Sequence, residues 1–171
     1  MIIETLLNDK NKKPKEKTAE LSSLILSKKV SLNDLLVCAE TAKDSPRATC
    51  IEALEFATKT NPAIANEKCL QFVTQSLTGK APRVKWESAK VIGNIAHRFP
   101  GRLDKAIGHL LTNSEHEGTV VRWSAAFALG EILKLKTRVN SSLYPALEAI
   151  CKREEKNSIK KIYADALKKS K

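Results

Sequence analysis

Four cysteines, three histidines and two tryptophans are the side chains in this chain with the most chemistry to offer. Cys38, Cys50, Cys69 and Cys151 form no C-x-x-C pair and have no histidine at a metal-ligand spacing. Each falls in an apolar helical pattern, where a thiol serves as a small hydrophobe. His97, His109 and His116 make no H-E-x-x-H, and His116 lies in Glu115-His116-Glu117-Gly118, which reads as a solvated loop. No phosphate-cradling G-x-x-x-x-G-K-[ST], no G-x-S-x-G elbow and no catalytic Cys/His pattern is present. The expectation is no catalytic residue, no metal, no cofactor and no small-molecule substrate.

The tryptophans are more informative, because they sit in near-copies of one segment. Val84-Lys85-Trp86-Glu87-Ser88-Ala89-Lys90-Val91-Ile92-Gly93-Asn94-Ile95 returns as Val121-Arg122-Trp123-Ser124-Ala125-Ala126-Phe127-Ala128-Leu129-Gly130-Glu131-Ile132, 37 residues later. A repeat of this length is a helical hairpin that cannot bury its apolar face alone, so neighbours stack into one continuous core. Small residues at Ala53, Ala89, Ala126 and Ala164, and larger ones at Phe56, Ile92, Leu129 and Leu167, extend the register. First helices then begin at Ala48, Val84, Val121 and Ile159, spaced 36, 37 and 38 residues apart. Second helices are expected over 63–77, 103–111 and 143–151, with Pro62, Pro100-Gly101, Gly79-Lys80-Ala81-Pro82 and Glu117-Gly118 marking the turns. Ser31 is placed to cap a further helix from Leu32.

The pattern Val121-Arg122-x-x-Ala125-Ala126-x-Ala128-Leu129-Gly130-x-Ile132 resembles the first-helix consensus of HEAT-like repeats. Repeat two keeps the Val-Lys opening, the alanine and the Ile-Gly-x-Ile ending; repeat one has Ala57 where the glycine falls. The resemblance, to a HEAT-like (armadillo-type) helical repeat protein, covers about residues 44–171. It implies an all-α fold, a right-handed α-α superhelix (HEAT-like solenoid) of antiparallel helix pairs with about seven to nine helices. Residues 1–30 read as an N-terminal basic arm with one or two short helices, because Lys10-Asn11-Lys12-Lys13-Pro14-Lys15-Glu16-Lys17 buries too little to fold alone. Residues 31–171 form the solenoid, with repeats near 44–80, 81–118 and 119–156 and a half-repeat at 157–171.

On a helical wheel, Val121, Ser124, Ala125, Ala128, Leu129 and Ile132 make the core stripe. Trp123 and Phe127 fall opposite, with Gly130 near them; Trp86 and Lys90 hold the same positions in repeat two, with Gly93 near them. Lys85 and Arg122 stand beside the tryptophans. An outward indole carries about 150–250 Å² of surface, several kcal/mol for whatever covers it at ~25 cal/mol/Å². Three coverings are open: the chain itself, through Ile2, Ile3, Leu6 and Leu7 or a neighbouring repeat; a protein partner or second copy; or nucleobases, with Lys85, Lys90 and Arg122 holding phosphates.

Charge adds a direction. The chain carries +11, of which residues 121–171 contribute twelve Lys/Arg against five Asp/Glu. That basic C-terminal end, with Lys160 and Lys161 on its last helix, attracts acidic partners. Among proteins of this architecture, the resemblance also brings in the DNA alkylation-repair glycosylases, which pair aromatic residues with a carboxylate near a tryptophan. Here Lys90 and Phe127 stand one turn after the tryptophans, and Glu87 points about 100° away from Trp86. No apolar run approaches the ~20 residues of a membrane span, and the N-terminus lacks the regions of a secretory signal, so a cytoplasmic protein is expected. The reading is a non-enzymatic scaffold that engages a protein partner through Trp86, Trp123, Phe127, Lys85, Lys90, Arg122, Lys160 and Lys161; the alternative is a nucleic-acid-binding module.

Overall fold

The computed structural model describes residues 2–171 and contains, among them, ten α-helices and no strand. In chain order these are α1 (Ile2–Asn8), α2 (Pro14–Leu26), α3 (Leu32–Thr41), α4 (Asp44–Thr60), α5 (Glu67–Ser76), α6 (Pro82–Ile95), α7 (Asp104–Asn113), α8 (Thr119–Lys134), α9 (Asn140–Arg153) and α10 (Asn157–Lys169). Eight of them, α3 to α10, lie in residues 31–171, within the expected seven to nine, and the two others lie in the N-terminal segment. No helix is long and apolar enough to cross a membrane.

The helices form two layers of a right-handed α-α superhelix. α2, α4, α6, α8 and α10 stack side by side in one continuous layer, while α3, α5, α7 and α9 lie behind them, more widely spaced. The closer-packed layer is the inside of the curve, so its outward face is the concave face of the solenoid. Between the layers runs one core, with Leu35, Ile51, Leu54, Leu77, Ile92, Leu110, Leu129, Ile132 and Tyr163 fully buried. The stripe Val121, Ser124, Ala125, Ala128, Leu129 and Ile132 is buried throughout. Ser31 caps α3, its side chain accepting from the Asp34 N–H at 3.0 Å.

Residues 2–30 enter the stack. α2 starts at Pro14, whose missing N–H is harmless in a first turn, and the Glu16 carboxylate accepts from the Lys13 N–H at 2.6 Å. Thr18, Leu21, Ser22 and Ile25 are the buried side of α2, packed on α4. The polar stretch folds because a neighbour supplies the apolar surface it lacks. α1 tucks Ile3 and Leu6 against this end of the core, contacting α2 and α3. No residue of α1 is among those lining the cleft that holds the tryptophans.

Repeat one has a different register from the one the small residues suggest. Phe56 is 42 % exposed, whereas Ile92 and Leu129 are fully buried, so Phe56 cannot be their counterpart. Burial aligns Pro46 with Val84, Val121 and Ile159, at spacings of 38, 37 and 38. Leu54 then takes the place of Ile92, and Glu55, not Ala57, takes the place of Gly93 and Gly130.

Those glycines are contact points between adjacent inner helices. A Cβ on Gly93 would lie 2.3 Å from Phe127 Cε2, and one on Gly130 would lie 3.2 Å from Ala166 Cβ of α10. Gly93→Ala gains about 1 kcal/mol of helix propensity but displaces the Phe127 ring, so a net loss of about 1–2 kcal/mol is expected. In a Phe127→Ala background the same substitution should stabilise by about 1 kcal/mol. Urea unfolding of the four proteins measures both; the same loss in both backgrounds would rule out the Phe127 contact as its cause.

Candidate functional site

The corrected register sorts the concave face into three rows. Ala48, which is buried, and Trp86, Trp123 and Lys161 make the first; Glu52, Lys90, Phe127 and Asp165 the second; Phe56, Asn94, Glu131 and Lys169 the third. Trp86, Trp123, Phe56, Lys90, Glu55, Val120, Lys59, Thr60, Ala19 and Ser22 together line one open cleft of about 680 Å³. Trp123 is 38 % exposed and Val120 50 %. The Trp123 and Phe127 rings stack, with centroids 6.0 Å apart and planes 10° from parallel. Phe127 is thereby half-buried between Trp123 and Gly93, a floor for the indole more than a contact of its own.

Beneath the aromatics lies a charge cluster. Glu55 and Glu87 are each only 4 % exposed. Lys90 Nζ stands 3.9 Å from Glu55 Oε2 and 3.7 Å from Glu87 Oε2. The Trp86 indole N–H donates to Glu87 Oε1 at 2.9 Å, while Glu87 Oε2 has no hydrogen-bond partner. The expectation that Glu87 points away from Trp86 therefore fails: the backbone directions diverge, but the flexible side chain curls back to the indole. Next to this cluster Arg83 pairs with Glu52, which also accepts from Thr18 Oγ1 at 3.1 Å. Asn94 Nδ2 donates to the Glu55 carbonyl at 3.1 Å and to Thr58 Oγ1 at 3.2 Å.

Burial raises the Glu87 pKa above 4.5, partly offset by Lys90 and by the Trp86 hydrogen bond, with Glu52 and Glu55 adding to the rise. The folded chain thus holds this proton more tightly than the unfolded chain. The contribution of this group to stability is full below pH 4.5 and is lost as pH rises through the raised value. Glu87→Gln keeps an oxygen for the Trp86 N–H and removes the titration. It should flatten that decline and raise the melting temperature near neutrality by about 2–4 °C, equivalent to ~1 kcal/mol in a chain of this size. Melting curves from pH 4 to 8 test this, and a variant that melts lower than the parent at neutral pH would contradict it.

Lys85 and Arg122 do not stand in the cleft. Lys85 Nζ donates to the Leu77 carbonyl at 3.2 Å and to Asn113 Oδ1 at 3.3 Å. Arg122 donates to the carbonyls of His116 and Glu117 at 3.1 and 3.0 Å and to Glu154 at 3.3 Å. Arg47, the matching residue of repeat one, donates to the carbonyls of Ala39 and Glu40, both at 3.0 Å. In three successive repeats, then, a cation at the same position satisfies carbonyls at or after the end of the preceding outer helix, where the helix leaves them unpaired. Their role as cations flanking the aromatic row is replaced by one in holding repeats together. Lys160, the fourth in this series, and Lys161 are exposed and, among the described residues, stand outside ion pairs such as those of Arg122 and Lys169. Phe56 and Glu55, which line the cleft, and Glu87, which bonds Trp86, are candidate residues that the sequence reading missed; aligning the cations Arg47, Lys85 and Arg122 instead of the alanines would have placed Phe56 and Glu55.

All four cysteines are free, and burial pushes Cys50 and Cys69 up to about 12, far from a reactive thiolate. Among the described residues no group of three His, Cys, Asp or Glu side chains is placed to hold a metal.

No family model matches the chain, and neither does any curated protein sequence. Solved structures do. A designed armadillo repeat protein superposes with a TM-score of 0.70 at 15 % identity, over 99 % of this chain and 81 % of that one. A second, in complex with the peptide (KR)4, gives 0.74 at 15 % identity, over 99 % and 80 %. The complex of CpcE and CpcF of phycocyanin lyase from Nostoc sp. PCC7120 gives 0.69 at 19 % identity, over 96 % of each chain. The likeness is one of fold: this chain is a helical repeat protein of the armadillo and HEAT-like architecture.

Proposed function

We propose that this chain is a non-enzymatic, cytoplasmic scaffold that holds a protein partner along its concave face. Trp86, Trp123, Phe56 and the supporting Phe127 form the centre of that surface, and Lys160 and Lys161 its basic end. One observation carries the reading. Among the described residues five large hydrophobics are exposed, and three of them, Phe56, Val120 and Trp123, border the same cleft. Clustered exposed apolar surface costs solubility unless a partner covers it, and rigid aromatics of this kind are the usual anchors of protein interfaces.

The nucleic-acid alternative draws less support. Phosphates need free cations beside the aromatic rings, yet Lys85 and Arg122 are spent on carbonyls and Lys90 faces two carboxylates, which leaves Lys59 at the rim of the cleft. Glu55 on the wall of the cleft repels phosphate.

The test is affinity capture with the full chain, followed by titration of the purified partner against the parent and Phe56→Ala. The parent should bind, and Phe56→Ala should weaken binding about tenfold, or ~1.4 kcal/mol, with an unchanged melting temperature. Oligonucleotides titrated in parallel at low and moderate salt should not bind the cleft. Tight oligonucleotide binding lost in Phe56→Ala would overturn the protein-partner reading.

A further inference from the structure

The two ends of the stack are finished differently. On α2, the side turned away from α4 carries both signs: Glu16 and Glu20 are exposed, and Lys12 pairs with Glu20. A polar face of this kind is enough to keep an end repeat in solution. On α10, the side turned away from α8 carries cations alone. Ile162 and Ala166 lie against Gly130 of α8. Ala164 stands about 180° from them around the helix, with Lys160, Lys161 and Lys168 beside it in an arc of about 100°. All four are exposed. Asp165, the one carboxylate of α10, is paired with Lys169 at 3.1 Å, and among the described residues Lys160, Lys161 and Lys168 stand outside the ion pairs.

This arrangement opposes the helix that carries it. Lys156 is the N-cap of α10 and Lys160 lies in the first turn, which holds no acidic residue, although the macrodipole favours anions there. Four residues apart, these two cations also repel each other. Local choices that work against the fold gather at functional sites. The face also has the layout of an internal contact. Ala89 and Gly93 of α6, and Ala126 and Gly130 of α8, hold the matching positions and are buried. Gly93 meets Phe127 of the next inner helix, and Gly130 meets Ala166. In α10 those positions are Ala164 and Lys168, both exposed.

We propose that this face docks an acidic helix of the protein partner, placed as a further inner helix would be. Its carboxylates pair with Lys160, Lys161 and Lys168, its backbone approaches over Ala164, and the lysine stems lie along it. The inference rests on the reading that the partner is a protein. Nucleic acid suits the face less. Phosphate binding draws on many cations along a strand, with aromatic platforms for the bases. This face is one helix wide, spans about 12 Å from Lys160 to Lys168, and those four residues include no aromatic ring.

The probe is a labelled, blocked alanine peptide of about eighteen residues, long enough to be helical, with glutamate at every fourth position. Its glutamine counterpart and a single-stranded oligonucleotide are the controls, and binding to the full chain is read by fluorescence anisotropy at about 0.15 M salt. The glutamate peptide should bind and the glutamine peptide should not. Lys160→Gln, Lys161→Gln and Lys168→Gln combined should weaken binding at least tenfold without lowering the melting temperature, because repulsion is removed. Ala164→Tyr keeps every lysine but blocks close approach of a helix, and should also weaken it at least tenfold. No binding of the glutamate peptide, equal binding of the glutamine peptide, or undiminished affinity in either variant would each overturn the docking face. An oligonucleotide bound more tightly than the peptide, and unaffected by Ala164→Tyr, would make it a phosphate surface instead. The docking face and the concave-face reading fail separately. A captured partner that loses affinity for Phe56→Ala but not for the lysine variant leaves the concave face standing and removes this one. The reverse pattern keeps the lysine face and removes the concave one.

Discussion

Arg122→Met should lower the stability of the chain by about 3 kcal/mol, the cost of leaving a buried ion-pair partner uncompensated. The guanidinium donates to two carbonyls of the loop before α8 and to Glu154, whose side chain is only 6 % exposed. Removing it leaves that carboxylate without its cation, with only the Lys156 N–H still donating to Oε1, and frees two carbonyls at the junction of the last two repeats. At about 2–4 °C per kcal/mol, the melting temperature should drop by roughly 6–12 °C. Arg122→Met combined with Glu154→Gln should recover part of the loss, because the second change removes the stranded charge. Partner affinity per folded molecule should not change. A variant that keeps its stability and loses the partner would instead make Arg122 a contact residue.

Trp123→Ala should behave the other way round. Its indole stacks on Phe127 but keeps 38 % of its surface open, so truncation should cost under ~2 kcal/mol of stability. An aromatic anchor at the centre of an interface typically contributes more than that to binding. We expect about a hundredfold loss of partner affinity, ~2.7 kcal/mol. A stability loss above ~3 kcal/mol, with the folded fraction binding normally, would mark the indole as part of the core. Trp86 makes a less clean test, because its loss also frees Glu87 Oε1.

These two residues also mark where sequence reading succeeds and where it stops. The 37-residue echo around Trp86 and Trp123 and the apolar stripe of α8 were legible, because helical periodicity and burial are local properties. The register of repeat one was not. Ala53 and Ala57 imitate the small residues of later repeats, but Phe56 beside them turns to solvent, and only packing against α6 reveals it. Lys85 and Arg122 neighbour the tryptophans on the helical wheel, yet their long side chains reach carbonyls of the preceding loop, which a wheel does not contain. The Glu87–Trp86 hydrogen bond escaped for a related reason: a wheel gives the direction of Cβ, not of a carboxylate three bonds further out. Residues 10–17 looked too polar to fold because the surface that orders α2 belongs to α4, far along the chain.

The central claim, that the concave aromatic face holds a protein, is open to one direct measurement. Benzoylphenylalanine is placed at Phe56, on the cleft, and in a second protein at Gln71, an exposed residue of the outer-layer helix α5. Both are irradiated in cells. The account predicts a protease-sensitive, nuclease-resistant adduct from position 56, lost when Trp123→Ala is added, and none from position 71. An adduct from position 71 alone, or a nuclease-sensitive adduct at position 56, would contradict it.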